Sequence, residues 1–310
     1  MCEKSLVNKL KRVDNQLRRS LSDKKYNNGI FMNHYTSPEG LKEILASKEL
    51  WFSNAKFLND KSETNYIYSI LPITPDPYDL LLDENFFKYV RMIADSFSKN
   101  ETCDFDDACI NPTDFYVASF SKESDNLELW NYYTKTSDSV GYNIQFCQPA
   151  FEEAEKSKYY KFISGSVIYD FKTQQKLIRD ILNEYNILYK EHKEEIENGI
   201  ICKLNFLKQL IEILELHNMF FKHKAFENEK EFRCVIYYVK DYSKTSLDFR
   251  IVNGIILPYL KINFDKTLLT AITISPANDQ ELLKESLEFY IRQKDYHNIH
   301  IYNSKIPKRY

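Results

Sequence analysis

Residues 226–238, FENEKEFRCVIYY, pass within a few positions from charged side chains to a run of β-branched and aromatic ones. Such a run, bounded by charge on one side, reads as a buried strand. Its place in the chain decides the fold class. Before it, from about 172 to 226, apolar residues keep helical spacing, with Gly199 as the break. After it come FRIVNGIILPYLKINF (249–264), LTAITISP (269–276), a helix over 278–293 and NIHIYN (298–303), so strands resume.

The N-terminal half mixes both periodicities. Leu6, Leu10, Val13, Leu17 and Leu21 share one face of a helix over 3–22. GIFMNHYTS (29–37) is a strand, and SPEGLKEILASKEL (37–50) a helix with Ser37 as N-cap and Pro38 in its first turn. LWFSNAKFLND (50–60) returns to extended chain and loop, with Asn59, Asp60 and Glu63 placed to cap the next helix. A helix within 76–100, an acidic loop over 101–114, a strand in DFYVASFSKE (114–123), a helical turn in NLELWNYYTK (126–135) and a strand in VGYNIQF (140–146) follow. Strands therefore bracket the helices. The expected architecture is one α+β domain over 1–310, with an N-terminal helix over 1–25 and a helical insertion over 172–225.

Composition narrows the function classes. A formal net charge of −3 argues against coating nucleic acid by bulk electrostatics. The six cysteines form no CxxC pair, which disfavours a zinc site and reads as reduced thiols in a cytoplasmic protein. The basic N-terminus lacks a signal-peptide core, and no window reaches the ~18 apolar residues of a spanning helix, so no membrane partner is expected. There is no glycine-rich dinucleotide or phosphate loop and no Gly-x-Ser-x-Gly elbow, which disfavours hydride transfer, ATP hydrolysis and serine hydrolysis.

Four stretches, residues 34–63, 117–146, 221–233 and 272–281, resemble in that order the pattern of the bacterial DUF2971 family, whose members include proteins encoded among phage-defence genes. The resemblance runs from about 31 to 309, with Phe226 standing where the family often has Trp. A more distant resemblance is to the ADP-ribosyltransferases: His34 on an early strand, Ser119-Phe-Ser121 ending a middle strand, and Glu229-Lys-Glu231 before a late one. It implies a split β-sheet core, NAD+ as substrate without a metal, and a protein or nucleic-acid acceptor. A defence-system partner would use the helical insertion.

The chemistry gives each residue a role. Cleaving the nicotinamide–ribose bond builds an oxocarbenium-like cation, which a nearby carboxylate stabilises more in the transition state than in the ground state. Glu231 takes that role under the resemblance, while Glu229, expected on the same side of an extended chain, would accept the acceptor's proton. Ser119 and Ser121 would orient carboxylate and ribose, and His34 would bind the adenosine-side ribose. Tyr35, Trp130 and Tyr133 are the aromatic candidates for the cofactor, and Arg233 a polar one. His34 and Glu231 are expected on strands of neighbouring sheets facing a cleft. Against this stand plainer readings: a surface ion pair of the glutamates with Arg233 at a strand edge, a core histidine, serines bonding a turn, and aromatics in the core. A non-catalytic nucleotide-sensing or interaction module and a metal-independent nuclease are the alternative functions.

Overall fold

The computed structural model describes residues 4–21, 31–57, 61–71, 81–99, 103–105, 108–110, 113–133, 140–252 and 254–307. Its helices are α1 (Lys4–Leu21), α2 (Pro38–Ser47), α3 (Lys61–Ile70), α4 (Glu84–Ser98), α5 (Leu127–Tyr133), α6 (Glu152–Glu155), α7 (Phe171–Glu191), α8 (Lys193–Asn198), α9 (Ile200–Asn218) and α10 (Gln280–Gln293). The strands are β1 (Phe31–Thr36), β2 (Glu49–Asn54), β3 (Cys103–Phe105), β4 (Ala108–Ile110), β5 (Tyr116–Ser121), β6 (Tyr142–Cys147), β7 (Lys161–Ser166), β8 (Glu231–Tyr237), β9 (Leu247–Val252), β10 (Ile255–Asn263), β11 (Leu269–Ile274) and β12 (His300–Asn303). The fold is α+β. No helix among the described residues is long and apolar enough to cross a membrane. Asn59 and Asp60, and the side chain of Glu63, lie outside the described residues.

The chain gathers into two compact units, each assembled from three segments. The first (Met1–Ser22, Ala55–Phe115, Val167–Lys224) has, among its described residues, helices and one small hairpin. That hairpin, β3 paired with β4, occupies part of the acidic stretch expected to be loop. Every residue of α9 from Leu210 to Asn218 is buried, as befits a helix packed on all sides. This burial takes charge with it. Arg18 Nε donates to Asp14 Oδ2 at 2.7 Å and its Nη2 to Glu212 Oε1 at 2.9 Å, all three side chains nearly inaccessible. The thiol expectation also needs correction: Cys202 is held in a disulfide, a pairing that spacing along a sequence does not reveal.

The second unit (Asp23–Asn54, Tyr116–Ser166, Ala225–Tyr310) is built on a ten-stranded, mostly antiparallel sheet. One path runs β12-β11-β6-β1-β5-β2-β10-β9, and β8 joins β5 to β7 off that path. β7, in a stretch where no strand was expected, gives β8 a second neighbour, and all seven residues of β8 are buried in consequence. Alternation divides the sheet into two faces. Met32, Phe52, Phe120, Ile144, Phe146, Phe232, Cys234, Leu260 and Ile272 belong to one apolar core. α2 sits on it through Leu41, Ile44 and Leu45, its start fixed by Ser37 Oγ, which accepts the Gly40 N–H at 3.1 Å.

Candidate functional site

β5 is the hub of this sheet. β8 pairs with it along its whole length, from Tyr116↔Ile236 to Ser121↔Glu231. On its other side two strands share it: β2 pairs at Ser53↔Val117 and Asn54↔Tyr116, and β1 only at Asn33↔Ser121. β1 and β2 therefore diverge, and the middle of β5 has no ladder partner on that side. Ser119, in the middle of a strand in a large sheet, is exposed as a result.

His34 spans the gap. Its Nδ1 lies 3.1 Å from the Ser119 carbonyl oxygen, which only accepts, so Nδ1 carries the proton and Nε2 is left as an acceptor. Its ring meets Phe120 edge-on at 5.7 Å. Burial pulls the His34 pKa down, the Ser119 carbonyl bond opposes it, and the nearby Arg250 charge lowers it further. The ring is neutral at physiological pH.

The sheet's other face carries the polar groups. Pairing register places Trp51 and Ser53 of β2, Ser119 and Ser121 of β5, Glu231 and Arg233 of β8, Tyr259 of β10 and Arg250 of β9 on that one face. Trp51 and Tyr259 stack with centroids 4.4 Å apart. The Arg250 guanidinium stands 5.6 Å from one ring centroid and 5.8 Å from the other, and its Nη2 donates to Ser53 Oγ at 2.8 Å. Glu231 and Arg233 form a bidentate ion pair, Nε to Oε1 at 2.7 Å and Nη2 to Oε2 at 2.9 Å. Both are buried, so the pair belongs to an interior strand and not to the solvent-exposed edge of the plainer reading.

The two glutamates of the sequence motif separate. Glu229 ends a 3₁₀ turn (Lys224–Glu229), Lys230 has φ 46° in the left-handed region, and the strand begins only at Glu231. The two-residue alternation that would align them therefore does not apply, which corrects the expectation of a shared side. The Glu229 carbonyl instead accepts the Ser121 hydroxyl at 2.7 Å, and Ser121 Oγ accepts the Glu123 N–H at 3.0 Å. His34 and Glu231 also depart from expectation: their strands belong to one sheet, and His34 alternates onto the face of Phe120, away from Glu231.

Tyr35 and Trp130 are packed together, centroids 4.7 Å apart, and both are buried. Tyr35 Oη donates to the Glu123 carbonyl at 2.9 Å and accepts the Asn126 N–H at 3.0 Å, and Trp130 Nε1 donates to Asp125 Oδ1 at 2.7 Å. They clamp the segment between β5 and α5 onto the sheet. Tyr133 closes α5, and its side chain lies outside the described residues. Trp51, Ser53, Arg250 and Tyr259 were not singled out from sequence. The one available signal was a lone arginine between the apolar Phe249 and Ile251.

Among the described residues no group of three or more His, Cys, Asp or Glu is placed to hold a metal ion. What the arrangement offers is a cationic and aromatic shelf beside the exposed Ser119 of β5, with a fixed carboxylate one strand away. No curated protein and no solved structure matches the chain. Residues 129–234 match the model of a family described as "Protein of unknown function (DUF2971)", a stretch that contains Trp130, Tyr133, Glu229, Glu231 and Arg233 but neither His34 nor the two serines.

Proposed function

We propose that the sheet unit binds NAD+ along the divergence of β1 and β2 and cleaves its nicotinamide–ribose bond, transferring ADP-ribose to a macromolecular acceptor in bacterial anti-phage defence. The observation that carries this reading is the order of three adjoining strands. β1 with His34, β5 with Ser119 and Ser121, and β8 with Glu231 lie side by side, and the ladder opens beside the exposed Ser119. Arg250 supplies positive charge for the diphosphate, and the Trp51–Tyr259 stack offers an aromatic wall. Glu231, held by Arg233, needs no reorganisation as the ribosyl cation develops.

The Glu231–Arg233 pairing also favours a second reading, nucleotide sensing without chemistry, because the carboxylate's charge is already offset. Titration calorimetry with NAD+, together with chromatography of released nicotinamide, separates the two. Transferase function requires binding that weakens about tenfold or more in Arg250→Met, and nicotinamide release that falls ~10²-fold or more in a folded Glu231→Gln that still binds. Binding without release returns the sensing reading. No binding at millimolar NAD+ removes both.

A further inference from the structure

Among the described residues β9 ends the sheet path, so one side of it is an edge. Its register with β10 fixes which backbone groups point outward. The Lys261 N–H donates to the Ser246 carbonyl at 3.0 Å, so 246 and 261 are a hydrogen-bonded pair, and by alternation so are 248 with 259 and 250 with 257. The N–H and C=O groups of Leu247, Phe249 and Ile251 therefore face away from β10. Two observations agree. Phe249 pairs with Pro258, which has no N–H to give, and the Phe249 N–H reaches its own neighbour's carboxylate, Asp248 Oδ1, at 2.8 Å. Along the same strand Phe249 is 57% and Ile251 76% exposed, and Ile256, opposite Ile251, is 65% exposed. A free ladder edge beside an apolar strip is what natural sheets ordinarily blunt with charge or cover.

We propose that a second copy of this chain covers it, through antiparallel β9–β9 pairing about a two-fold axis at Phe249. Outward groups at 247, 249 and 251 can pair across a two-fold axis at Asp248, Arg250 or Phe249. An axis at Asp248 or at Arg250 sets that charged residue against its own symmetry mate, and like charges directly opposite destabilise a pair. An axis at Phe249 sets Asp248 against Arg250 of the second copy, twice, with Phe249 on Phe249 between them and Leu247 on Ile251 at either end. Charge selects the latter. It forms an isologous interface in which every outward N–H meets a carbonyl, and it carries Asp248 of each copy to the arginine that borders the other copy's polar shelf.

Sedimentation velocity on the full chain from about 1 to 100 μM, without NAD+, tests this independently of any nucleotide chemistry. The parent is expected to dimerise. Ile251→Pro removes an outward N–H without touching the β9–β10 ladder, and is expected to raise the dimer dissociation constant at least tenfold. Phe249→Cys reports the register: hydrogen-bonded partners sit ~5.5 Å apart at Cα, so a short bismaleimide should link it into a covalent dimer that the parent does not form. A parent that stays monomeric, a dimer indifferent to Ile251→Pro, or Phe249→Cys that fails to link within a dimer overturns the proposal.

Discussion

Removing Arg233 takes two charge-assisted hydrogen bonds from a carboxylate buried in the middle of a sheet. Arg233 is 2% and Glu231 6% exposed, and two charge-assisted bonds of 2.7 and 2.9 Å join them. Breaking a buried pair from one side costs ~3–5 kcal/mol, because the remaining charge stays desolvated. Arg233→Met should therefore lose about that much, lowering the melting temperature by roughly 6–20 °C for a unit of this size. Glu231→Leu alone takes the same two bonds from the buried guanidinium and should cost a similar amount. The double replacement removes both charges and should recover most of the loss, since an apolar pair of similar volume is often as stable as the ions. Urea unfolding followed by circular dichroism gives all four free energies, and the cycle should close with a coupling of at least ~2 kcal/mol. Additive single losses, with coupling under ~0.5 kcal/mol, would refute the reasoning: the two charges would then be stabilised separately.

Three further outcomes follow from other places in the fold. In Gly40→Ala the new Cβ would sit 2.1 Å from Thr36 Oγ1, on a buried and β-branched neighbour, so thermal unfolding should show a loss of ~1–3 kcal/mol, and an unchanged melting temperature would sink this. Lys230, at φ 46°, should gain up to ~1 kcal/mol on replacement by glycine and lose on replacement by valine, as measured by urea midpoint. Burial raises Glu215 to about 8, opposed by the Thr113 N–H at 2.9 Å. The folded chain thus keeps a proton that the unfolded chain releases near ~4.3, and stability falls as pH rises from there through about 8. Glu215→Gln should flatten that slope and stabilise the protein most at pH 8; a parallel pH profile in the two proteins would contradict it.

Secondary structure was readable wherever periodicity was clean. Ser37-Pro38 opening α2 and the β-branched run of β8 were found at their positions. What failed had identifiable causes. β7, KFISGS, is short and polar, and its strand character comes from its neighbour β8. Asp14 and Arg18 look like solvated helix residues, and a partner of their buried ion pair, Glu212, is brought in by the distant α9. At the candidate site the motif residues were legible by type but not by face. Alternation along β1 sends His34 one way and Asn33 the other, and the left-handed Lys230 undoes the alignment of Glu229 with Glu231. Trp51, Ser53, Arg250 and Tyr259 come from strands widely separated along the chain, so only strand order reveals them together.

Each unit is assembled from three separated segments, and this governs how the chain emerges from a ribosome. β1, at residues 31–36, finds no ladder until β5 and then β6, at 142–147, have been made. At ~5–20 residues per second that interval is on the order of ten seconds, during which a strand whose Met32, Asn33, Tyr35 and Thr36 end up buried is synthesised but unpaired. The helical unit is no better served, since α1 waits for α7 and α9. Neither unit is complete until the other has been partly translated, so nascent fragments should be poor folders and good chaperone clients. Folding should finish after release, at the slow rate set by distant pairings.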